Sequence, residues 1–324
     1  QHPHATIVNA PGSVERMARF RYVVADVFTD TPLAGNGLAV FTDAGEIPEE
    51  QLQPLARELN LSETVFVFPP ERSEHTRRLR IFTPGTELPF AGHPTIGTGF
   101  VLASTGEIPL AGDLTQVVFE EGVGPVSVSI RASEGRPSFV QLTATQLPEF
   151  GPAPPAQERI AALLSLDPSD LVGDEWASQS VSCGVPFLFV PIRDLAALGR
   201  ARLDLTVWGA TFAGSWAPHI FPFTINGPGS GVDARARMFA PAMGISEDPA
   251  TGAAAAALAG YLAARDSTGQ DTLRWVVEQG VEMGRASRIH VEADRADGRV
   301  LAVRVGGGSV LVGEGAMEIP TLGA

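Results

Sequence analysis

The sequence contains no lysine, since all 23 of its basic residues are arginine. Pyridoxal phosphate enzymes and Schiff-base aldolases hold their cofactor or substrate through a lysine amine, so the absence of lysine excludes both classes. A Walker-type phosphate-binding loop also requires a lysine, and its pattern is accordingly missing. The chain therefore has to work by chemistry that needs no amine side chain.

Cysteine is almost as scarce, because Cys183 is the only one in 324 residues. A single thiol cannot form an intrachain disulfide, and it cannot supply the thiol pair of a two-cysteine racemase. Its apolar neighbours, Val181 and Val185 among them, predict a buried structural thiol rather than a nucleophile. The lack of disulfides predicts a reducing, cytoplasmic compartment.

Positive charge is in deficit, with 37 acidic residues and a net charge of −14. Such a chain repels nucleic acid phosphates and anionic lipid surfaces, so we expect neither nucleic acid nor membrane partners. No apolar run approaches the roughly 20 residues of a membrane span. The six histidines show no metal-ligand spacing, and no dinucleotide-binding glycine pattern is present, so we predict neither a metal nor a cofactor.

Two short segments share a design in which a polar residue precedes a proline and a small-apolar helix. They are Gly92 to Gly97, with His93, and Glu247 to Ala253, with Asp248. Proline fits the first helical turn, so His93 and Asp248 are each predicted where a helix begins. The free N–H groups of such first turns bind anions. If two similar halves face each other, both helix starts point into one cleft, which we interpret as an active site.

Length and composition predict two domains, because 324 residues with 44% apolar content can fill two cores. Residues 1–19 are predicted to be a flexible extension, 20–146 the first domain, 147–155 a proline-rich linker, and 156–324 the second domain, whose last strands could return to the first. Each domain is predicted as strands around a uniformly apolar helix. The glycines at 306–308 predict a hairpin between the last two strands.

Four sequence blocks, in order, resemble the signature of the PhzF-like phenazine-biosynthesis family. They are Leu61 to Phe66, Phe82 to Thr95, Glu247 to Gly252, and Gln279 to Arg285. The resemblance implies the diaminopimelate epimerase-like fold, an α+β fold. It has two pseudo-symmetric domains, each a curved, mostly antiparallel sheet around a central helix, with the active site in the cleft between them. The sequence departs from the family pattern at Ala253, where the phenazine enzyme has serine, and at Gly37 and Ala286, where proline is common.

The same resemblance implies a cofactor-independent isomerase that moves a proton within a small, cyclic, unsaturated carboxylic acid. Glu63 would shuttle the proton from one carbon to another. His93 and Asp248 would hold the substrate and tune the glutamate. The substrate-binding residues would be Gly92, Thr251, Gly252 and Ala253. The family is usually homodimeric, so the resemblance also implies a homodimer.

Ordinary structural roles stand beside these functional ones. Glu63 could be a charged residue at a strand start, His93 a core histidine, and Asp248 a plain helix cap. Thr251 could equally bond back to a helix carbonyl. For the whole chain, the alternatives are an epimerase of a different small acid and a non-catalytic module that captures a small anion.

Overall fold

The structure is a computed structural model that describes residues 15–225 and 231–322. The strands among these residues pair into one long sheet. Its strands are β1 (Glu15–Val27), β2 (Asn36–Phe41), β3 (Glu63–Phe68), β4 (Arg77–Phe82), β5 (Glu87–Leu88), β6 (Leu114–Glu121), β7 (Gly124–Ser133), β8 (Arg136–Thr143), β9 (Glu149–Phe150), β10 (Gln179–Ser182), β11 (Pro186–Pro191), β12 (His219–Ile225), β13 (Ala234–Ala236), β14 (Thr272–Gln279), β15 (Ser287–Ala296), β16 (Arg299–Gly307) and β17 (Ser309–Leu322).

The α-helices lie between the strands. They are α1 (Glu49–Leu59), α2 (Gly92–Ser104), α3 (Gln157–Leu163), α4 (Leu195–Arg200), α5 (Leu205–Thr211) and α6 (Gly252–Ala263). None of the helices in the described ranges is both long enough and apolar enough to cross a membrane.

The strand pairing repeats itself in the two halves of the chain. In the first half, β1–β2 and β3–β4 are antiparallel, β2–β3 and β4–β6 are parallel, and β6, β7 and β8 form a meander. In the second half, β10 to β16 show the same sequence of pairings, with parallel pairs at β11–β12 and β13–β14. The fold is thus two pseudo-symmetric α+β halves, as the sequence predicted. They join where β8 pairs with β16.

Hydrogen bonds fix the alignment of the halves to the residue. Thr76 donates its N–H to the carbonyl of Val118 and accepts the N–H of Val118 on its hydroxyl. In the second half, Asp233 donates its N–H to Val276 and accepts the N–H of Val276 on its carboxylate. Thr76 therefore corresponds to Asp233, and the strand ends Glu121 and Gln279 correspond to each other.

Each half completes its sheet with a strand that lies just after the other half in the sequence. β9, just after the first half, pairs with β10. β17, the last strand, runs back to the first half and pairs with β1 along its length. Within the described residues β17 does not pair with β16, so the hairpin predicted at 306–308 is wrong. The glycines there carry the chain from one half to the other.

Two predicted domain boundaries also need correction. Residues 15–19 belong to β1, because the long strand β17 supplies hydrogen-bonding partners that far. The remaining part of the predicted extension, residues 1–14, lies outside the described residues. The predicted linker 147–155 contains β9, an edge strand, where flanking prolines are tolerated.

Each half wraps around one central helix. In the first half, α2 packs against β1, β2, β3, β7 and β8; in the second half, α6 packs against β10, β11, β14, β15 and β16. Both helices are buried along almost their whole length, which explains why neither has a polar face. Burial on all sides leaves the helix starts as the only parts of α2 and α6 that can meet each other.

The joint between the halves depends on a glycine in β16. A Cβ built on Gly306 would lie 2.6 Å from the carbonyl oxygen of Val140 and 2.9 Å from the Cβ of Gln141, on the paired strand β8. Backbone atoms in a paired strand cannot move aside as a flexible side chain can. Only glycine therefore lets β8 and β16 approach this closely.

We expect Gly306→Ala to lower the free energy of unfolding by about 1–3 kcal/mol, because the added methyl overpacks the β8–β16 joint. The matched control is Gly313→Ala in β17, where a Cβ would meet nothing within 4 Å. That variant should stay within about 0.5 kcal/mol of the parent. Urea unfolding followed by fluorescence measures both, and equal stability of the two variants would contradict the assignment.

Candidate active site

Glu63 and His93 face each other in the first half. Glu63 is the first residue of β3, and His93 is the second residue of α2. The Oε2 atom of Glu63 lies 3.1 Å from the Nε2 atom of His93, but the angles are not those of a hydrogen bond. Both side chains are buried, with residue exposures of 7% and 5%. A carboxyl group and an imidazole thus meet in a nearly water-free space.

Asn36 links this pair to Asp248 of the second half. Its side-chain Nδ2 donates to the Asp248 carboxylate (2.9 Å) and to the carbonyl of Ala250 (3.0 Å), and it lies 3.4 Å from Nδ1 of His93. The amide has two hydrogens, which Asp248 and Ala250 accept, so Nδ1 of His93 shares one of these hydrogens at most. Glu63, His93, Asn36 and Asp248 therefore form one contiguous group across the two halves.

Burial shifts the pKa of each titratable member of this group. It raises the pKa of Glu63 well above its usual value, and the negative charge of Asp248 raises it further. Burial lowers the pKa of His93 to about 3, so the imidazole is neutral at pH 7. Burial also raises the pKa of Asp248 to about 6, although hydrogen bonds from Thr251 and Asn36 oppose that rise. Perturbed pKa values of this kind gather at functional sites, so this group of residues is the candidate active site.

Asn36 is a residue of this group that the sequence did not predict, because asparagine between two glycines is typical of a turn. In the structure Asn36 is instead the first residue of β2 and is fully buried. Nothing in one sequence distinguishes a turn asparagine from a buried one, because the distinction depends on the second half being in contact.

The starts of α2 and α6 touch each other. A Cβ built on Gly92 would lie 3.5 Å from the backbone nitrogen of Ala253 and 3.5 Å from the Cα of Gly252. The first intrahelical bonds come from the N–H groups of Thr95 and Ala255, so the preceding N–H groups of both helices are outside the helical ladder. Two helix N-termini therefore converge beside Glu63, an arrangement that favours a bound carboxylate.

The prediction that Asp248 lies at the helix start is wrong in detail. The second helix begins at Gly252 after the N-cap Thr251, so Asp248 and Pro249 lie in the loop before it. The loop holds Asp248 through its own contacts. Thr251 donates its hydroxyl to the carboxylate of Asp248, and Gln279 donates its amide to the carbonyl of Asp248 (2.7 Å). Thr251 thus orients Asp248 and is not merely bonded to a helix carbonyl.

Arg285 ties the first-half loop before Asn36 to the second half. Its guanidinium donates to the carboxylate of Asp26 (2.6 Å) and to the carbonyls of Ala34 and Gly35 (both 2.9 Å). The backbone N–H of Gly35 also donates to the carbonyl of Ala286. These contacts give the fourth sequence block, Gln279 to Arg285, a structural role, because they fix the loop that positions Asn36.

A second buried carboxyl group supports the start of α2. The Oε1 atom of Glu121 lies 2.7 Å from the Thr95 hydroxyl, which also lies 2.8 Å from the carbonyl of Ala91. One hydroxyl hydrogen cannot serve both acceptors, so the arrangement is satisfied when Glu121 is protonated and donates to Thr95. Burial raises the pKa of Glu121 to about 8, against the opposing effect of the Thr95 hydrogen bond. Gln279, at the equivalent position of the second half, bonds Thr251 in the same way with an amide.

Cys183 and a separate cavity lie outside this arrangement. Cys183 is half-buried and unpaired, and burial raises the pKa of its thiol to about 12, which leaves it protonated. A cavity of about 650 Å³ lies in the first half beside Glu121, and neither Glu63, His93 nor Asp248 lines it. In the described ranges, no cluster of three or more histidine, cysteine or acidic residues could hold a metal ion.

Comparisons with known proteins point to one family. The family model "Phenazine biosynthesis-like protein" matches residues 25–315. An uncharacterized isomerase of Mesorhizobium japonicum is 39% identical over 306 residues, covering 92% of this chain and 98% of that protein. The trans-2,3-dihydro-3-hydroxyanthranilate isomerase of Pseudomonas aeruginosa is 36% identical over 300 residues, covering 91% and 98%.

A solved structure is similar over the same range. It is the crystal structure of the Bacillus anthracis phenazine biosynthesis protein of the PhzF family, which has a TM-score of 0.83 and 25% identity. The match covers 94% of this chain and 100% of that one. Sequence and structure comparisons thus point to one family along nearly the entire chain.

We expect Glu121→Gln to flatten the dependence of stability on pH. Because the folded-state pKa of Glu121 is about 8, the unfolded chain releases this proton first, and wild-type stability falls as pH rises from about 5 to 8. Glutamine does not titrate, so the variant should reduce the slope of the unfolding free energy against pH by up to about 1.4 kcal/mol per pH unit. The glutamine can still bond Thr95, as Gln279 bonds Thr251.

Urea unfolding at pH 5, 6, 7 and 8 measures this effect. The control is Glu49→Gln, which removes a carboxylate whose pKa the Arg80 hydrogen bond lowers. That group is largely ionised over this range in both states, so its removal should change the slope far less than Glu121→Gln does. Parallel wild-type and Glu121→Gln curves would show that Glu121 is not protonated in the folded state.

Proposed function

This chain belongs to the phenazine biosynthesis-like protein family and is an isomerase, and from that premise we propose that Glu63 moves a proton between two carbons of a small unsaturated carboxylic acid. The proposed reaction uses only side chains and backbone groups of the chain. The observation that carries it is the buried contact between Glu63 and His93, with Asp248 close enough to raise the pKa of the glutamate.

In the proposed mechanism the Glu63 carboxylate removes a proton from a substrate carbon next to a double bond. The C–H electron pair moves into the conjugated system that ends in the substrate carboxylate, and the double bonds shift. The protonated Glu63 then donates a proton to another carbon and becomes a carboxylate again. No net proton, electron or atom is gained, so a single acid–base group is sufficient.

The surrounding residues would support each state of Glu63. An N–H on Nε2 of His93, which lies 3.1 Å from Oε2 of Glu63, would steady the ionised carboxylate once the two side chains align. Asp248 disfavours that ionised state by repulsion, which adds to the effect of burial in raising the pKa of Glu63. The N–H groups at the starts of α2 and α6, from Gly92, Gly252 and Ala253, would hold the substrate carboxylate and the charge that develops on it.

The proposed substrate class follows from the relatives and from the geometry together. One relative is named trans-2,3-dihydro-3-hydroxyanthranilate isomerase, and that compound is a cyclic unsaturated acid with a carboxylate for the helix starts. We therefore propose a cyclic unsaturated acid of this kind for the present chain. Because Glu63, His93 and Asp248 are each at most 7% exposed, the two halves must separate to admit it.

We further propose that the chain forms a homodimer, which family membership alone supports. We expect light scattering after gel filtration to give about twice the chain mass of 34.0 kDa. A single species at the chain mass would exclude the dimer under those conditions.

We expect Glu63→Gln to abolish isomerisation while ligand binding persists, because the amide cannot accept a proton but keeps the shape of the carboxyl group. The rate should fall by about 10²- to 10⁴-fold. Proton NMR in deuterated water, with trans-2,3-dihydro-3-hydroxyanthranilate and a panel of unsaturated or chiral small acids, reports deuterium uptake and double-bond migration.

The matched control is Glu58→Gln, which changes an exposed glutamate of α1 and should turn over substrate at the wild-type rate. Wild-type turnover in Glu63→Gln would overturn the proposed role of Glu63. Exchange at a stereocentre without double-bond migration would identify an epimerase instead. Saturable binding with no exchange of any acid would favour a non-catalytic anion-binding module.

A further inference from the structure

The pseudo-symmetry assigns Glu63 a counterpart in the second half. Thr64 pairs with Phe82, and Ile220 forms the equivalent antiparallel bridge with Phe239. Phe82 and Phe239 lie six residues after Thr76 and Asp233, the two residues that the hydrogen bonds align. Thr64 therefore corresponds to Ile220, and the preceding residue Glu63 corresponds to His219.

The parallel pairs on the other side give the same alignment. Glu63 pairs with Leu38 of β2, and His219 pairs with Phe187 of β11. Both residues are the first of their strand, β3 and β12. His219 thus occupies the second-half position that holds the proton-transferring residue in the first half.

His219 is a buried polar residue whose Nδ1 atom has no partner in the described part of the chain. Only 6% of the residue is exposed, and Nδ1 is fully covered without a hydrogen bond. Its ring contacts Phe187 at a centroid distance of 5.7 Å. Buried polar atoms are rarely left unpaired, so each such atom calls for an explanation.

The reason that His219 lacks a partner lies in the residues around it. In the first half, His93 and Asn36 surround Glu63 with polar groups. The equivalent positions in the second half are Ala253, which follows the helix-start glycine, and Val185, which lies two residues before Phe187. Neither side chain can hydrogen-bond. The methyl group of Ala253 also leaves room where an imidazole stands in the first half.

Buried atoms without hydrogen-bond partners also lie on the first-half side of the site, here called its first face. They are Oε2 of Glu63, Nε2 of His93 and Oδ1 of Asn36. The Nδ1 atom of His219 is their counterpart across the pseudo-twofold axis between the helix starts. A molecule bound between the two faces would meet polar atoms from both halves.

We propose that His219 is a substrate-binding residue that closes the second face of the site opposite Glu63 and hydrogen-bonds a hydroxyl or amino group of the substrate. The inference rests on the proposed function, since it places the same substrate between the two faces. The substrate carboxylate would bind at the helix starts. The hydroxyl or amino group of the substrate, a neutral donor or acceptor, would bind His219.

The protonation state of His219 favours a neutral group over the carboxylate. Burial lowers its pKa below the usual histidine range, so the ring is uncharged at pH 7. A neutral imidazole offers one donor and one acceptor nitrogen, which suits a hydroxyl or an amine. It would discriminate among acids by their substituents and leave carboxylate binding to the backbone.

The test compares two aromatic acids that bind without turnover, 3-hydroxyanthranilate and benzoate. Both carry the carboxylate, but only the first carries a hydroxyl and an amino group. Isothermal titration should show that wild-type protein binds 3-hydroxyanthranilate more tightly than benzoate. His219→Phe should weaken 3-hydroxyanthranilate about tenfold, the effect of one lost hydrogen bond, and change benzoate less than twofold.

Three further variants sharpen this measurement. His219→Gln, which keeps a donor and an acceptor, should restore most of the preference for 3-hydroxyanthranilate. His290→Phe removes another partly buried imidazole, one that stacks edge-on against Phe139, and should leave both affinities unchanged. Thermal unfolding of each variant shows whether a lost affinity reflects a lost fold.

The inference is overturned if His219→Phe keeps the wild-type preference, or if the wild-type protein binds the two acids equally or binds neither. Its failure is separable from failure of the proposed function. Isomerisation that depends on Glu63 but not on His219 would leave the proposed function intact and remove His219 from the site. Retained preference in Glu63→Gln, together with exchange that does not depend on Glu63, would do the reverse.

Discussion

The site depends on the contact between two helix starts that belong to different halves of the chain. Gly92 lies against Gly252 and Ala253, so that even a Cβ on Gly92 would be in van der Waals contact with them. That contact brings Glu63, His93 and Asn36 of the first half to Asp248 of the second, and all four are buried. The raised pKa of Glu63 follows from this enclosure, because burial and the nearby Asp248 are its two causes. Separation of the halves would remove both causes together.

The two halves support their helix starts by similar means with different chemistry. Glu121 and Gln279 lie at equivalent strand ends, and each bonds a threonine near the helix it supports. Around the reacting position the halves differ. The first half has an imidazole and an amide beside its carboxyl group, whereas the second half has Ala253 and Val185 beside His219. A pseudo-symmetric scaffold thus presents two chemically unlike faces.

The sequence predicted the fold class and the approximate starts of the two buried helices, because proline, glycine and small apolar residues determine where such helices begin. Glu63, His93 and Asp248 converge as the resemblance implied. Asn36 was missed, since its role exists only when the second half is in place. The strand β17 was placed as a hairpin because three glycines suggest a local turn, and nothing local indicates a partner almost 300 residues earlier. Contacts between distant segments were the information that local patterns lacked.

The return of β17 to the first half bears on how the protein is made. β1 is synthesised almost 300 residues before β17, the strand that pairs with it along its length. Until β17 has been made, one side of β1 lacks this partner and is open to pairing with other strands. The first half therefore cannot finish its sheet by itself, however early it is translated. Its last folding step has to wait until the second half has been translated as well.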